Sequence, residues 1–215
     1  LNYLKGKSKT LIDQVLARIK FHPGSKVLVK TLNQKGFITS LVTGGFAPIS
    51  TFVGDRLGFQ NIISNEFKFK DDCFTGEYVP ITAGKNSKLN YLNKLTQEKS
   101  ISKSKVVAIG DGANDLGMLT NAGLGVGYHA HDIIKEQVAN QVFFNNLTTI
   151  LYYIVIPKKE FKNVYHYVIH HPEIQAGDIA HIYHDDPEEP PKIEDEETPA
   201  NKVPCANFVT GADFG

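Results

Sequence analysis

The stretch VVAIGDGANDLGML, residues 106–119, decides the fold. Val106 to Ile109 are a short apolar run that reads as a buried strand, and Gly110 and Gly112 make a sharp turn after it. Met118 and Leu119 then open an apolar helical face. Asp111 therefore falls at the C-terminal tip of a buried strand, the edge where open α/β sheets bind ligands. Asp115 follows four residues later, in the first helical turn. Two acids at this spacing can hold a hard cation such as Mg²⁺ through oxygen. Helix capping by Asp111 alone would explain neither the second acid nor both glycines.

Outward from this stretch, helical and strand patterns alternate. SKTLIDQVLARI (8–19) has helical spacing at Leu11, Val15, Leu16 and Ile19. HPGSKVLVKTLNQKG (22–36) opens with Pro23, suited to a first helical turn, and closes with Gly36. FITSLVT (37–43) reads as a strand, and Phe46 to Leu57 as a helix stopped by Gly58. Phe67–Phe69 and Glu77–Val79 flank KDDCFTG as a hairpin. An amphipathic helix is expected over 84–99. It is followed by strand 105–109, helix 113–121, strand 124–128, helix 131–137, strand 140–144 and helix 147–155. This alternation predicts an α/β fold, a Rossmann-like parallel sheet with helices on both faces. Strands 38–43 and 105–109 are expected to be neighbours, with Thr43 and Asp111 at one edge of the sheet.

SLVTGGF (40–46) is the second chemical motif. Thr43 ends a strand and Gly44 and Gly45 follow, exposing a hydroxyl and unobstructed backbone N–H groups at a helix N-terminus. That geometry seats phosphate, although a strand followed by Gly-Gly also suits a plain turn. Lys85, in ITAGKNSKL, would neutralise phosphate charge if it lay beside such a seat; in isolation it reads as a solvated surface lysine.

Of the 215 residues, 41% are hydrophobic, enough for one good core. No apolar run reaches the roughly 18 residues of a membrane helix, and no signal peptide is read, so a soluble cytoplasmic protein is expected. Cys73 and Cys205 lie far apart and read as plain thiols. The net charge of zero hides an asymmetry. Residues 1–181 carry 21 Lys+Arg against 14 Asp+Glu, net +7, and residues 182–215 carry 2 against 9, net −7. The basic excess is spread out with no arginine cluster, which argues against nucleic-acid binding. The expected division is a domain over 1–157 and a His/Pro/Glu-rich, mostly irregular extension over 158–215, a candidate for binding a protein partner. His166 and His170 could share a helix face suited to Zn²⁺, but no further ligand pair completes a site, and a histidine-rich linker is the simpler reading.

Strand–Thr–Gly-Gly, then Gly-Lys, then GDGAND, in this order with helical spacers, resembles the haloacid dehalogenase superfamily of phosphohydrolases. Within it, HPGSKVLVKTLNQKGF, LVTGGF, GEYV, AGK and VVAIGDGANDLGMLTNAGLGVGYHA are similar to the phosphoserine phosphatase family, over about residues 3–155. The GDGxND turn also occurs in P-type ATPases, but those need membrane helices and a DKTGT strand, and neither is in this sequence.

The resemblance implies a Mg²⁺-dependent hydrolysis of a small phosphomonoester, phosphoserine, as a step of serine biosynthesis. It implies that the Thr43 hydroxyl and Gly44 N–H hold the transferring phosphoryl group. Lys85 would pair with its oxygens, Asp111 would bind Mg²⁺, Asp115 would orient the metal's waters, and Asn114 would hold substrate or the lysine–phosphate arrangement. The family also carries an aspartate nucleophile and an aspartate general acid as Asp-x-Asp at the tip of its first strand. No such pair follows an apolar strand here: Asp71-Asp72 precedes Cys73 in a polar hairpin, Asp195 precedes Glu196, and Asp213 is followed two places on by Gly215. Residues 1–215 alone are therefore expected to be inactive, either as part of a working phosphatase or as a binding or structural subunit. An open slot is expected beside strands 38–43 and 105–109.

Overall fold

The computed structural model describes residues 1–156 and the backbone of residues 207–211. Two helices come first, α1 (Leu11–Leu16) and α2 (Ser25–Gln34), followed by strand β1 (Thr39–Phe46) and helix α3 (Ala47–Leu57). Strands β2 (Asn61–Lys70) and β3 (Cys73–Val79) make the hairpin, and helix α4 (Ser87–Glu98) leads into β4 (Val106–Gly110). Then come α5 (Leu116–Asn121), β5 (Leu124–Tyr128), α6 (Asp132–Lys135), β6 (Asn140–Val142) and α7 (Thr149–Tyr153). A last strand, β7, spans Asn207–Gly211.

The seven strands form one sheet in the order β3-β2-β1-β7-β4-β5-β6, parallel except for the β2–β3 hairpin. The α/β class and the parallel sheet are as expected. β4 shows why this sheet is covered on both faces. Val107 and Ile109 enter a core with Leu28 and Leu32 of α2 and Ile150 and Leu151 of α7. Val106 and Ala108 point the other way, to Leu92 and Leu95 of α4, Met118 and Leu119 of α5 and Ile134 of α6. A period of two with apolar residues in both phases is what a strand buried between two helical layers requires.

Two expectations are corrected by β7. Strands 38–43 and 105–109 are not neighbours, because β7 lies between them and pairs in parallel with both β1 and β4. The slot expected to stand open is filled by residues 207–211, which the sequence places in a mostly irregular extension. A parallel strand paired on both edges draws stability from two ladders, so five residues suffice there. The expectation of a common edge for Thr43 and Asp111 holds. Val42 is level with Gly211 and Ile109 with Thr210, so both motifs leave the sheet at the same end. The acidic Pro/Glu-rich run, His166, His170 and Asp213 lie outside the described residues.

Several boundaries move for local reasons. α2 begins at Ser25 rather than at His22 because Gly24 takes a left-handed φ of 81°, which no helix interior accepts. The hairpin has a two-residue loop, Asp71-Asp72, with φ of 51° and 58°. Aspartate tolerates that region, so the strands run through Lys70 and Cys73 instead of stopping at Phe69 and Glu77. α3 ends where expected, with Gly58 at φ 86° closing it.

Candidate active site

Thr43 is wholly buried near the end of β1. β1 bulges just there: Val42 pairs with Ile63, but the next pairing is Phe46 with Asn65. Thr43, Gly44 and Gly45 thus bow out of the ladder, as extra residues in a bulge must. Phe46 is anchored beyond the bulge by stacking on Phe67 of the hairpin, with ring centroids 3.9 Å apart. Within the bow, the Gly45 N–H donates to the Thr43 hydroxyl oxygen (3.0 Å). In this bond the hydroxyl acts as acceptor, and a hydroxyl in that role keeps one O–H to donate.

The second turn is built around Asp115, also wholly buried. Its Oδ2 accepts from the backbone N–H groups of Asp111 and Gly112, both at 3.2 Å. Its own N–H donates to the Gly112 carbonyl (2.9 Å). Gly110 is required because a Cβ there would stand 2.4 Å from the Asp115 side chain. The helix expected from residue 113 accordingly starts at Leu116, since residues 112–115 are spent on the turn. The Asp111 carbonyl accepts from the His131 N–H (2.9 Å), which fixes the turn from the β5–α6 side. Asp111 is thereby held at the tip of β4, half-buried, with Asn114 half-buried in the same turn.

The lysine that the structure brings against this turn is Lys88, and the lysine singled out from the sequence, Lys85, is not in contact with it. Lys85 is exposed in the turn before α4. Lys88 is 1% exposed, and its Nζ lies 2.8 Å from Asp115 Oδ1. A signal for it exists in the sequence: Lys88, Leu92 and Leu95 share the buried stripe of α4, and a lysine on an apolar stripe must have a buried partner.

β1 and β4 stand on either side of β7, so the Thr43 and Asp111 turns are roughly 10 Å apart across the sheet edge. The arrangement places a hydroxyl and the Gly44 backbone on one side, an acid turn on the other, and an ammonium fixed behind the acids. Such a set of donors is chemically suited to a phosphate group. For Mg²⁺ the donor set is hard oxygen but sparse. Asp111 can ligate, whereas Asp115 is committed to Lys88 and two backbone N–H groups. Among the described residues, no cluster of three or more His, Cys, Asp or Glu groups could hold a metal ion.

Comparison with known proteins agrees with this architecture. Residues 2–120 match the model of the haloacid dehalogenase-like hydrolase family. The chain is 32% identical over 157 residues to a phosphoserine phosphatase of Streptomyces coelicolor, covering 73% of this chain and 38% of that protein. It is 31% identical over 151 residues to that of Lactococcus lactis, covering 70% of each. A phosphoserine phosphatase of Archaeoglobus fulgidus is 29% identical over 161 residues, 75% of this chain and 47% of that protein. The chain thus spans less than half the length of two of these relatives. Among solved structures, a substrate-bound phosphoserine phosphatase complex superposes with a TM-score of 0.67 at 29% identity, over 70% of this chain and 71% of that one. A phospho-aspartyl intermediate analogue of phosphoserine phosphatase gives 0.66 at 29% identity, over 70% and 72%. The bulged Thr-Gly-Gly strand end, the buried lysine and the two-aspartate turn at one edge of a parallel sheet therefore have a family: this chain belongs to the haloacid dehalogenase-like hydrolases.

Proposed function

We infer that residues 1–157 are the phosphate- and Mg²⁺-binding part of a phosphomonoester hydrolase acting on phosphoserine, with release of serine and phosphate. The observation that carries this reading is the convergence of the Thr43 and Asp111 turns on one sheet edge, with the buried Lys88–Asp115 pair behind them. The chain's likeness to phosphoserine phosphatases at about 30% identity supports the substrate.

In this reading the Thr43 hydroxyl and the Gly44 N–H bind the phosphoryl oxygens. Lys88 replaces Lys85 as the residue that supplies positive charge, and Asn114 lies on the substrate side of the acid turn. Asp111 would hold Mg²⁺, which when bound draws charge from a phosphoryl oxygen. Asp115 acts through others: it fixes the Asp111–Gly112 backbone and positions Lys88. Phosphoryl transfer depends mainly on such positioning and charge neutralisation.

No Asp-x-Asp pair follows an apolar strand, so these residues supply no aspartyl nucleophile with its partner acid. The chain by itself is a binding platform for phosphate and Mg²⁺ rather than a turnover catalyst. One observation favours a second reading, in which it is a phosphatase-like binding or structural subunit: β7 fills the centre of the sheet with the chain's own extension. Residues 158–215 would then both complete the sheet through 207–211 and meet a protein partner. Among the described residues, no helix is long and apolar enough to cross a membrane. Titration of the chain with Mg²⁺ and inorganic phosphate tests the platform. Failure of phosphate to bind, or binding unaffected by Thr43→Val and Lys88→Met, would remove its basis.

A further inference from the structure

We propose that Thr82 is a positioning residue that sets the direction of the phosphate-binding N–H of Gly44; this rests on the phosphate-seat reading above. Thr82 lies in the loop between β3 and α4, 6% exposed, and nothing in its sequence context marks it. Its hydroxyl donates to the Thr43 carbonyl at 2.7 Å. Its N–H donates to Oδ1 of Asn65, itself 4% exposed, at 2.8 Å, and Asn65 Nδ2 donates to the Gly44 carbonyl at 2.8 Å. Two successive carbonyls of the bowed turn are thus each held by this pair.

A trans peptide is planar, with its C=O and N–H pointing in opposite directions. Holding the Thr43 carbonyl toward Thr82 therefore turns the Gly44 N–H away from Thr82. Holding the Gly44 carbonyl toward Asn65 does the same for the Gly45 N–H, which is found on the Thr43 hydroxyl. Glycine has no side chain to restrict its backbone, so the turn needs outside restraints to keep one orientation. Thr82 is also six residues before Lys88. One short segment therefore sets the N–H donor on one side of the seat and carries the lysine on the other. Ground-state hydrogen bonds of this kind are preorganisation, which lowers the ordering cost of binding.

The test titrates the full chain with inorganic phosphate in the presence of Mg²⁺ and follows the Gly44 amide by ¹H–¹⁵N spectroscopy. In the unaltered chain, phosphate shifts that amide. Thr82→Val weakens phosphate affinity about tenfold, Thr82→Ser keeps it within about twofold, and Mg²⁺ affinity stays the same in both. A merely structural threonine would lower the melting temperature without this split between phosphate and Mg²⁺. If Thr82→Val does not fold, Asn65→Asp takes its place: it retains the acceptor for the Thr82 N–H, loses the donor to Gly44, and should show the same loss. Wild-type affinity in either folded variant, or equal losses in the Ser and Val variants, overturns the proposal. Absence of any phosphate binding by the unaltered chain overturns the seat itself, and is thereby told apart from failure of the Thr82 role alone.

Discussion

Lys88 and Asp115 meet at 2.8 Å in the interior of the protein, the lysine 1% and the aspartate 0% exposed. Such a pair is not by itself a source of stability, because withdrawing both charges from water costs about as much as their attraction returns. Breaking it is another matter, since the survivor is left buried without its counter-charge. Lys88→Met should destabilise the chain by about 3–5 kcal/mol, read from denaturant unfolding, whereas Lys85→Met should stay within about 0.5 kcal/mol. Similar values for the two lysines would show that Lys88 is not the buried cation.

Asp111 is the test of the metal proposal. Isothermal titration should show weak Mg²⁺ binding by the unaltered chain, since no cluster of three or more acidic, His or Cys groups surrounds Asp111 among the described residues. Asp111→Asn should abolish it. Asp115→Asn should weaken it less directly, by loosening the Asp111–Gly112 backbone that Oδ2 now holds. Tight Mg²⁺ binding that survives Asp111→Asn would place the metal elsewhere.

These residues differ in how far the sequence revealed them. Asp111, Asp115 and Thr43 were legible because strand ends and glycine turns are local signals. Val106–Ile109 and the end of α3 at Gly58 were legible for the same reason. Lys88 is legible only in part: its place on the apolar stripe of α4 marks it as buried, but its partner Asp115, 27 positions on in the turn before α5, is not a local signal. Lys85, next to Gly84, carried the more familiar local pattern and is exposed. β7 was hidden for a different reason. Phe208, Val209 and Thr210 favour a strand, but three such residues after a Pro/Glu-rich run are too short a signal alone, and the pairing with β1 and β4 is not a local one.

β7 leads to a prediction about the sheet. Removing residues 207–215 strips the partner from the facing edges of β1 and β4, leaving backbone groups in the middle of the sheet without their ladder. Each lost hydrogen bond is worth about 1 kcal/mol net. Several together should lower the melting temperature by about 10 °C. Amide exchange should rise across Thr39–Val42 and Val106–Ile109, with β5 and β6 less affected. Unchanged exchange in β1 and β4 would mean that β7 does not hold the slot in solution.

Activity brings the slot and the missing nucleophile together. Residues 1–215 should release no measurable phosphate from phosphoserine with Mg²⁺, because no aspartate pair follows an apolar strand, no covalent aspartyl-phosphate can form, and water would have to attack unassisted. Hydrolysis should appear when an apolar strand ending in Asp-x-Asp, with the first cap helices of the family, is joined upstream. The strand's place between the Thr43 and Asp111 turns is held by β7, so the gain should be larger in a chain that also lacks residues 207–215. A supplied strand that restores turnover equally well with β7 present would mean that β7 yields the slot readily. Turnover by the unextended chain, lost in Asp111→Asn, would instead show that an acid already in the sequence, Asp71 or Asp213, serves as nucleophile. A phosphate-release assay comparing Asp71→Asn with Asp213→Asn would then decide which.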